Sequence, residues 1–164
     1  MCGLLVFIAK NKEILPNIKK FEESLHLQDH RGPDNCSMLT VENANAYMGF
    51  VRLPIIDDHP RSNQPIFFED IILTFTGELF NYLEILNELK KDGLSKNLHG
   101  DTQVFAAAIS FWGVEKSLKK FRGMYSAVYY NKIDKNFHVI RDRIGIKPLF
   151  VYEDNEKIIY SSEI

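Results

Sequence analysis

The chain begins Met1-Cys2-Gly3 and passes at once into Leu4-Leu5-Val6-Phe7-Ile8, an apolar run without polar alternation. Such a run reads as a buried strand. Termini ordinarily fray at the surface, so a chain that opens this way is expected to fix its first residues inside the fold. With 164 residues, 45% of them apolar and 26% charged, roughly 70% of the unfolded surface can be buried, and a core forms without staples. No apolar stretch approaches the ~20 residues of a membrane-spanning helix, and disorder is excluded by the same composition. Twenty Lys+Arg against 22 Asp+Glu argue against nucleic-acid binding through a basic tail. Two cysteines, Cys2 and Cys36, make no disulfide framework, and the start lacks the basic region of a secretory signal. A reducing, cytoplasmic setting is the expectation.

No repeat or Pro/Gly/Ser-rich linker divides the chain, so residues 1–164 read as one domain. Ile14, Ile18, Phe21 and Leu25 recur at helical spacing among charged residues, which predicts an amphipathic helix. His30–Asp34 reads as a polar turn, and Ser37–Val41 with Tyr47–Leu53 as a hairpin around Glu42–Asn45. Ile66–Phe75 reads as a strand pair or one long strand ending at Thr76-Gly77-Glu78, followed by a helix over Leu79–Lys91. Asp101 stands where an N-cap is expected before the apolar helix that Gly113 ends. Two hairpins follow, Met124–Tyr130 with Phe137–Arg141 and Leu149–Tyr152 with Lys157–Ser161. Runs of strands beside runs of helices point to an α+β fold with antiparallel sheets.

Taken singly, the polar candidates are ambiguous. Cys2 and Cys36 read first as small buried hydrophobes. Arg52 lies in an apolar stretch, where it either meets an anion or snorkels at a strand edge. The turn Thr76-Gly77-Glu78 is placed to offer free backbone N–H groups to an anion, or merely to cap a helix. The five histidines show no metal-ligand spacing, and no phosphate-cradling glycine loop appears. No metal site is assigned.

The ensemble is more specific. Met1-Cys2-Gly3, His30–Asp34, Arg52-Leu53 before Ile55-Ile56-Asp57, Gln64-Pro65, Gly77-Glu78-Leu79-Phe80-Asn81-Tyr82, Gly100-Asp101-Thr102, and Arg141-Asp142 with Gly145 and Lys147-Pro148-Leu149 occur in one order. That order resembles the glutamine amidotransferase domain of the asparagine synthetase family, the class II, N-terminal-nucleophile amidotransferases, over essentially the whole chain. The resemblance implies a four-layer αββα fold in which helices cover two packed antiparallel sheets.

It also implies roles. Removal of Met1 would make Cys2 the N-terminal nucleophile, with its own α-amine, of pKa roughly 7.7–8.0, as the base. Arg52 would hold the α-carboxylate of L-glutamine, the backbone of Leu53, Pro54, Ile55 and Ile56 would line the pocket, and Glu78 with Asp101 would receive the α-ammonium. Arg31 would support the nucleophile, or simply close its turn. Gly77 would give an oxyanion-hole N–H. The family's second donor is an asparagine, and Thr76 replaces it here; losing one such donor typically costs ~10²–10³ in rate. Phe50 stands where the family usually has histidine, a change read as structural. The domain itself would need no cofactor. ATP and Mg would belong to a C-terminal synthetase domain that consumes the ammonia and whose Ser-Gly-Gly loop these residues do not contain, so that domain, or a separate subunit, would be the partner. The alternatives are a catalytically inactive glutamine- or partner-binding module of the same fold, or an N-terminal-nucleophile hydrolase for another amide.

Overall fold

The computed structural model describes residues 1–11 and 17–164. Along β1 (Gly3–Ala9) the pleat sends Leu4 and Val6 to one side and Leu5 and Phe7 to the other, and both sides are covered. This is why the run is apolar at every position. On one side lies α1 (Ile18–His26), whose Phe21 and Leu25 pack with Leu5, Tyr47 and Val51. Ile14, which the helical spacing included, lies outside the described residues. A short 3-10 turn at Asp29–Arg31 leads into β2 (Asn35–Val41) and β3 (Ala46–Arg52), the expected hairpin.

Next come β4 (Ile66–Phe68) and β5 (Ile71–Leu79), then α2 (Tyr82–Lys91), α3 (Gly100–Trp112) and α4 (Val114–Lys120). The chain closes with β6 (Gly123–Asn131), β7 (Asn136–Arg141), β8 (Phe150–Glu153) and β9 (Lys157–Ser161). One sheet has the order β2-β3-β1-β9-β8 and the other β4-β5-β6-β7, with every named pairing antiparallel. Leu4, Val6, Met48 and Phe50 from the first sheet meet Ile72, Val128 and Tyr130 from the second in a shared core. Phe50 is fully buried there, in the structural place expected for it. On the far side of the second sheet, Leu73, Phe75 and Tyr125 pack against Val104, Phe105, Ile109 and Ile85 of the helices. The layers are therefore helix, sheet, sheet, helices, the α+β arrangement expected.

β1 is central. It pairs with β3 on one edge and β9 on the other, and just beyond β9 the Leu4 N–H donates to Ser162 Oγ at 3.0 Å while Ser162 N–H donates to Leu4 O at 3.0 Å.

Three local expectations are corrected. Thr76-Gly77-Glu78 is not the end of a strand beside a helix N-terminus: β5 runs on to Leu79, with Gly77 opposite Tyr125 and Leu79 opposite Gly123. Leu79 is fully buried as a strand residue, and the helix, which begins three residues later at Tyr82, buries Ile85 and Leu89 while Leu83 is exposed. Helical spacing could not separate these choices, because Leu79, Leu83 and Leu86 fit one face of a helix as well. Cys36 is not a buried hydrophobe; it lies exposed on the edge strand β2.

Candidate active site

The antiparallel pairing of Gly3 with Val51 brings Cys2 alongside the end of β3 and the segment beyond it. The Leu53 N–H donates to Cys2 Sγ at 3.3 Å, and the thiol donates back to Leu53 O at 3.3 Å. The Cys2 carbonyl is gripped from two more elements, by Arg31 Nε at 3.0 Å and by Thr76 Oγ1 at 3.1 Å. Arg31 is itself buried and paired with Glu163 at 2.9 Å. Burial pushes the Cys2 thiol up from its ordinary value, and the Leu53 N–H, the Met1 α-ammonium, Arg52 and Lys147 pull against that rise.

Cys2 opens on a cleft lined by Arg52, the Leu53–Asp57 segment, Gln64, Gly77, Glu78, Gly100 and Asp101. Arg52 is buried, yet its guanidinium has no carboxylate partner among the described residues. It donates through Nη1 to His59 O at 3.2 Å and Asn63 Oδ1 at 2.6 Å, and through Nη2 to Asp57 O. Of five N–H donors, one on Nε and one on Nη2 remain without a protein partner among the described residues. A buried cation held only by neutral oxygens leaves its positive charge available to an anionic ligand.

The same cleft also carries the opposite charge. Glu78, half-buried, has no cationic partner among the described residues, and Asp101 is buried at the start of α3. Asp101 is not the N-cap of that helix; His99 holds that place and Gly100 is the first helical residue. Its Oδ2 instead accepts the Leu79 N–H at 3.0 Å, tying α3 to the end of β5. Burial raises the Asp101 carboxyl above the usual carboxylate range, the N–H groups of Leu79, Asp101 and Thr102 oppose that, and the neighbouring Glu78 charge adds to it.

Gly77 lines the same cleft with φ of 136°, and a Cβ there would lie 2.0 Å from Met124 O. Only glycine fits.

The sequence-predicted residues converge. Cys2, Arg52, Leu53, Pro54, Ile55, Ile56, Gly77, Glu78 and Asp101 share the cleft. Thr76 and Arg31 stand behind it on the Cys2 carbonyl, Thr76 because the pleat of β5 turns Thr74 and Thr76 toward the other sheet, away from the helix-facing Phe75, and Arg31 from the turn before β2.

The profile of the glutamine amidotransferase domain matches residues 1–164. The chain belongs to the glutamine amidotransferase family. The domain is 35% identical, over 99% of its length, to asparagine synthetase [glutamine-hydrolyzing] 1 of Bacillus subtilis, of which it covers 26%. It is 30% identical, over its full length, to a putative asparagine synthetase [glutamine-hydrolyzing] 2 of Methanocaldococcus jannaschii, covering 34% of that protein. It thus spans about a quarter to a third of these relatives. In fold it is similar to the glutamine phosphoribosylpyrophosphate amidotransferase of B. subtilis, with a TM-score of 0.82 at 17% identity over 98% of this chain and 42% of the other.

Sequence reasoning gave no role to the polar scaffold beneath the amidotransferase cleft. Gln64 is buried and pairs with the Phe75 backbone, Nε2 donating to Phe75 O at 2.9 Å and Oε1 accepting Phe75 N–H at 2.6 Å. Asp57 gathers the Arg52 side of the cleft, accepting Ser62 Oγ at 2.6 Å and Arg61 Nε at 3.0 Å. Neither carries a local signal, since both work on residues distant in sequence or in an irregular loop.

Away from the cleft, His26, Asp29 and Cys36 bring donor atoms within 4.8 Å of one another. The imidazole meets each of the others through a different nitrogen, Nδ1 bonded to Asp29 at 2.9 Å and Nε2 facing Cys36 Sγ at 4.0 Å. No helix of the described residues is long and apolar enough to cross a membrane.

Proposed function

We propose that this domain hydrolyses the side-chain amide of L-glutamine to glutamate and ammonia through a Cys2 thioester. The observation that carries the reading is the charge pattern of the cleft beside the thiol: a buried guanidinium with no carboxylate partner, and two carboxylates with no cationic partner, among the described residues. That pattern is complementary to the α-carboxylate and α-ammonium of a free amino acid. The resemblance assigns Arg52 to the carboxylate and Glu78 with Asp101 to the ammonium, and the opposed charges support that assignment.

With Met1 removed, the Cys2 α-amine would take the thiol proton and the sulfur would attack the amide carbon. The oxyanion would draw on the Gly77 N–H. The amide nitrogen would leave as ammonia, taking the proton the amine had held, and water would then cleave the γ-glutamyl thioester and restore the thiol. Thr76, whose hydroxyl is bonded to the Cys2 carbonyl, would hold the nucleophile in place.

The names of the relatives support a synthetase domain or subunit as the consumer of the ammonia, and ATP with Mg would be bound there; glutamine hydrolysis itself calls for no cofactor. A free nucleophilic thiol suits a reducing, cytoplasmic setting. The test is glutamate release by chain shown by mass spectrometry to lack Met1, compared with Cys2→Ala. Turnover that needs Cys2 supports the reading; Met1-free wild type that binds glutamine without turnover favours an inactive binding module.

A further inference from the structure

The segment from Arg141 to Pro148 has no role in the chemistry described so far, yet it is heavily built. Asp142 is buried and accepts four backbone N–H groups, those of Tyr125 at 3.2 Å, Ile144 at 3.2 Å, Ile146 at 2.9 Å and Lys147 at 3.0 Å. Arg141 donates from Nε to Lys147 O at 2.9 Å and from Nη2 to Gly145 O at 2.9 Å. Gly145, at φ of 68°, makes the bend beneath that guanidinium. The product of this clasp is the placement of Lys147.

Lys147 is 7% exposed and forms no ion pair among the described residues. Its Nζ donates to Met1 Sδ at 3.2 Å, and a thioether is a weak acceptor. Buried lysines without a carboxylate are rare because the charge is costly to desolvate. Here the charge is aimed at the residue preceding Cys2, and it pulls the Cys2 thiol down.

We propose that Lys147 is a positioning residue for the N-terminal nucleophile: its ammonium, delivered by the Arg141–Asp142 clasp, sets the charge state of the Cys2 thiol and of the α-amine that loss of Met1 frees. A cation beside a thiol favours thiolate, and beside an amine it favours the neutral base. Lys147 would do both from one position. The other charges near Cys2 are Arg52 at the end of β3, Arg31 with its partner Glu163, and Glu78 and Asp101, which line the same cleft. The inference rests on the glutaminase reading for its purpose, while its test does not require turnover.

The experiment follows iodoacetamide alkylation of Cys2 against pH, in Met1-free full-length chain on a Cys36→Ser background, for wild type, Lys147→Met and Lys147→Arg. Lys147→Met is expected to move the alkylation midpoint to higher pH and so to slow alkylation near neutral pH. Lys147→Arg, which keeps the charge, is expected to retain the wild-type midpoint. If Lys147→Met does not fold, Lys147→Gln takes its place. Coincident midpoints for a folded neutral variant and wild type overturn the proposal, as does an Arg variant shifted as far as the neutral one, which marks a packing role. Wild type that alkylates as expected but releases no glutamate defeats the glutaminase reading and leaves Lys147 standing.

Discussion

Replacing Arg52 by lysine keeps the charge and removes the fork. Two of the five guanidinium donors are left over after Asp57 O, His59 O and Asn63 Oδ1 are satisfied, enough for two charge-assisted bonds to a carboxylate. Each is worth about 1.5–3 kcal/mol, and a lysine ammonium recovers one of them. The net loss of about 1.5–3 kcal/mol corresponds to a roughly 10- to 150-fold fall in kcat/KM. The α-carboxylate is remote from the amide that reacts, so the loss belongs in KM, with kcat nearly unchanged. The assay is a two-by-two cycle: wild type and Arg52→Lys, each with L-glutamine and with glutamine α-amide, which lacks the carboxylate. Wild type is expected to lose about as much on the amide as the variant loses on glutamine, and the two losses together are expected to fall well short of additive. Should Arg52→Lys reduce both substrates by the same factor, Arg52 does not hold the carboxylate and the clamp reasoning is refuted. His59 is exposed and Asn63 partly so, so water can replace the lost donors and a thermal melt is expected to shift only slightly.

Three further outcomes follow from the geometry. Gly77→Ala places a methyl 2.0 Å from Met124 O at φ of 136°, and urea titration is expected to show a loss of more than about 2 kcal/mol. Thr76→Asn offers a carboxamide near the thiol and is expected to raise kcat; a fall would mean that the hydroxyl bond to the Cys2 carbonyl matters more than a second oxyanion donor. At Asp142 burial pushes the carboxyl up, but four backbone N–H groups outweigh it and hold the group below the usual range. Its stabilisation is therefore complete above the unfolded value of about 3.9 and is lost as pH falls through the lower folded value. Asp142→Asn should destabilise the domain at pH 7, and the gap from wild type should narrow in melts at increasingly acid pH.

Much of this was legible because it rests on local pattern. The apolar run at residues 4–8 required cover on two faces and has it, and the three hairpins follow from alternation broken by Asn, Asp and Lys turns. What was missed is long-range or cryptic. α4 has the sequence Val-Glu-Lys-Ser-Leu-Lys-Lys; only Val114 and Leu118 reach the core, beside buried Ser117, and two apolar letters in so short a segment did not announce a helix. The bond of Asp101 to Leu79, Thr76 turned onto Cys2, and Gln64 against Phe75 each join residues far apart in sequence. Lys147 was visible only as one letter of a motif, since its meaning depends on what its Nζ touches.

The seating of β1 between β3 and β9 has a consequence for vectorial synthesis. Cys2 is made long before Ser162 and Glu163, but Leu4 is closed by Ser162 and the Cys2 carbonyl is held by Arg31, itself braced by Glu163. At about 5–20 residues per second, roughly 8–30 s separate the two ends. Through that interval β1 stands in an unfinished sheet, without β9 beside it. A nucleophile made early is thus braced late.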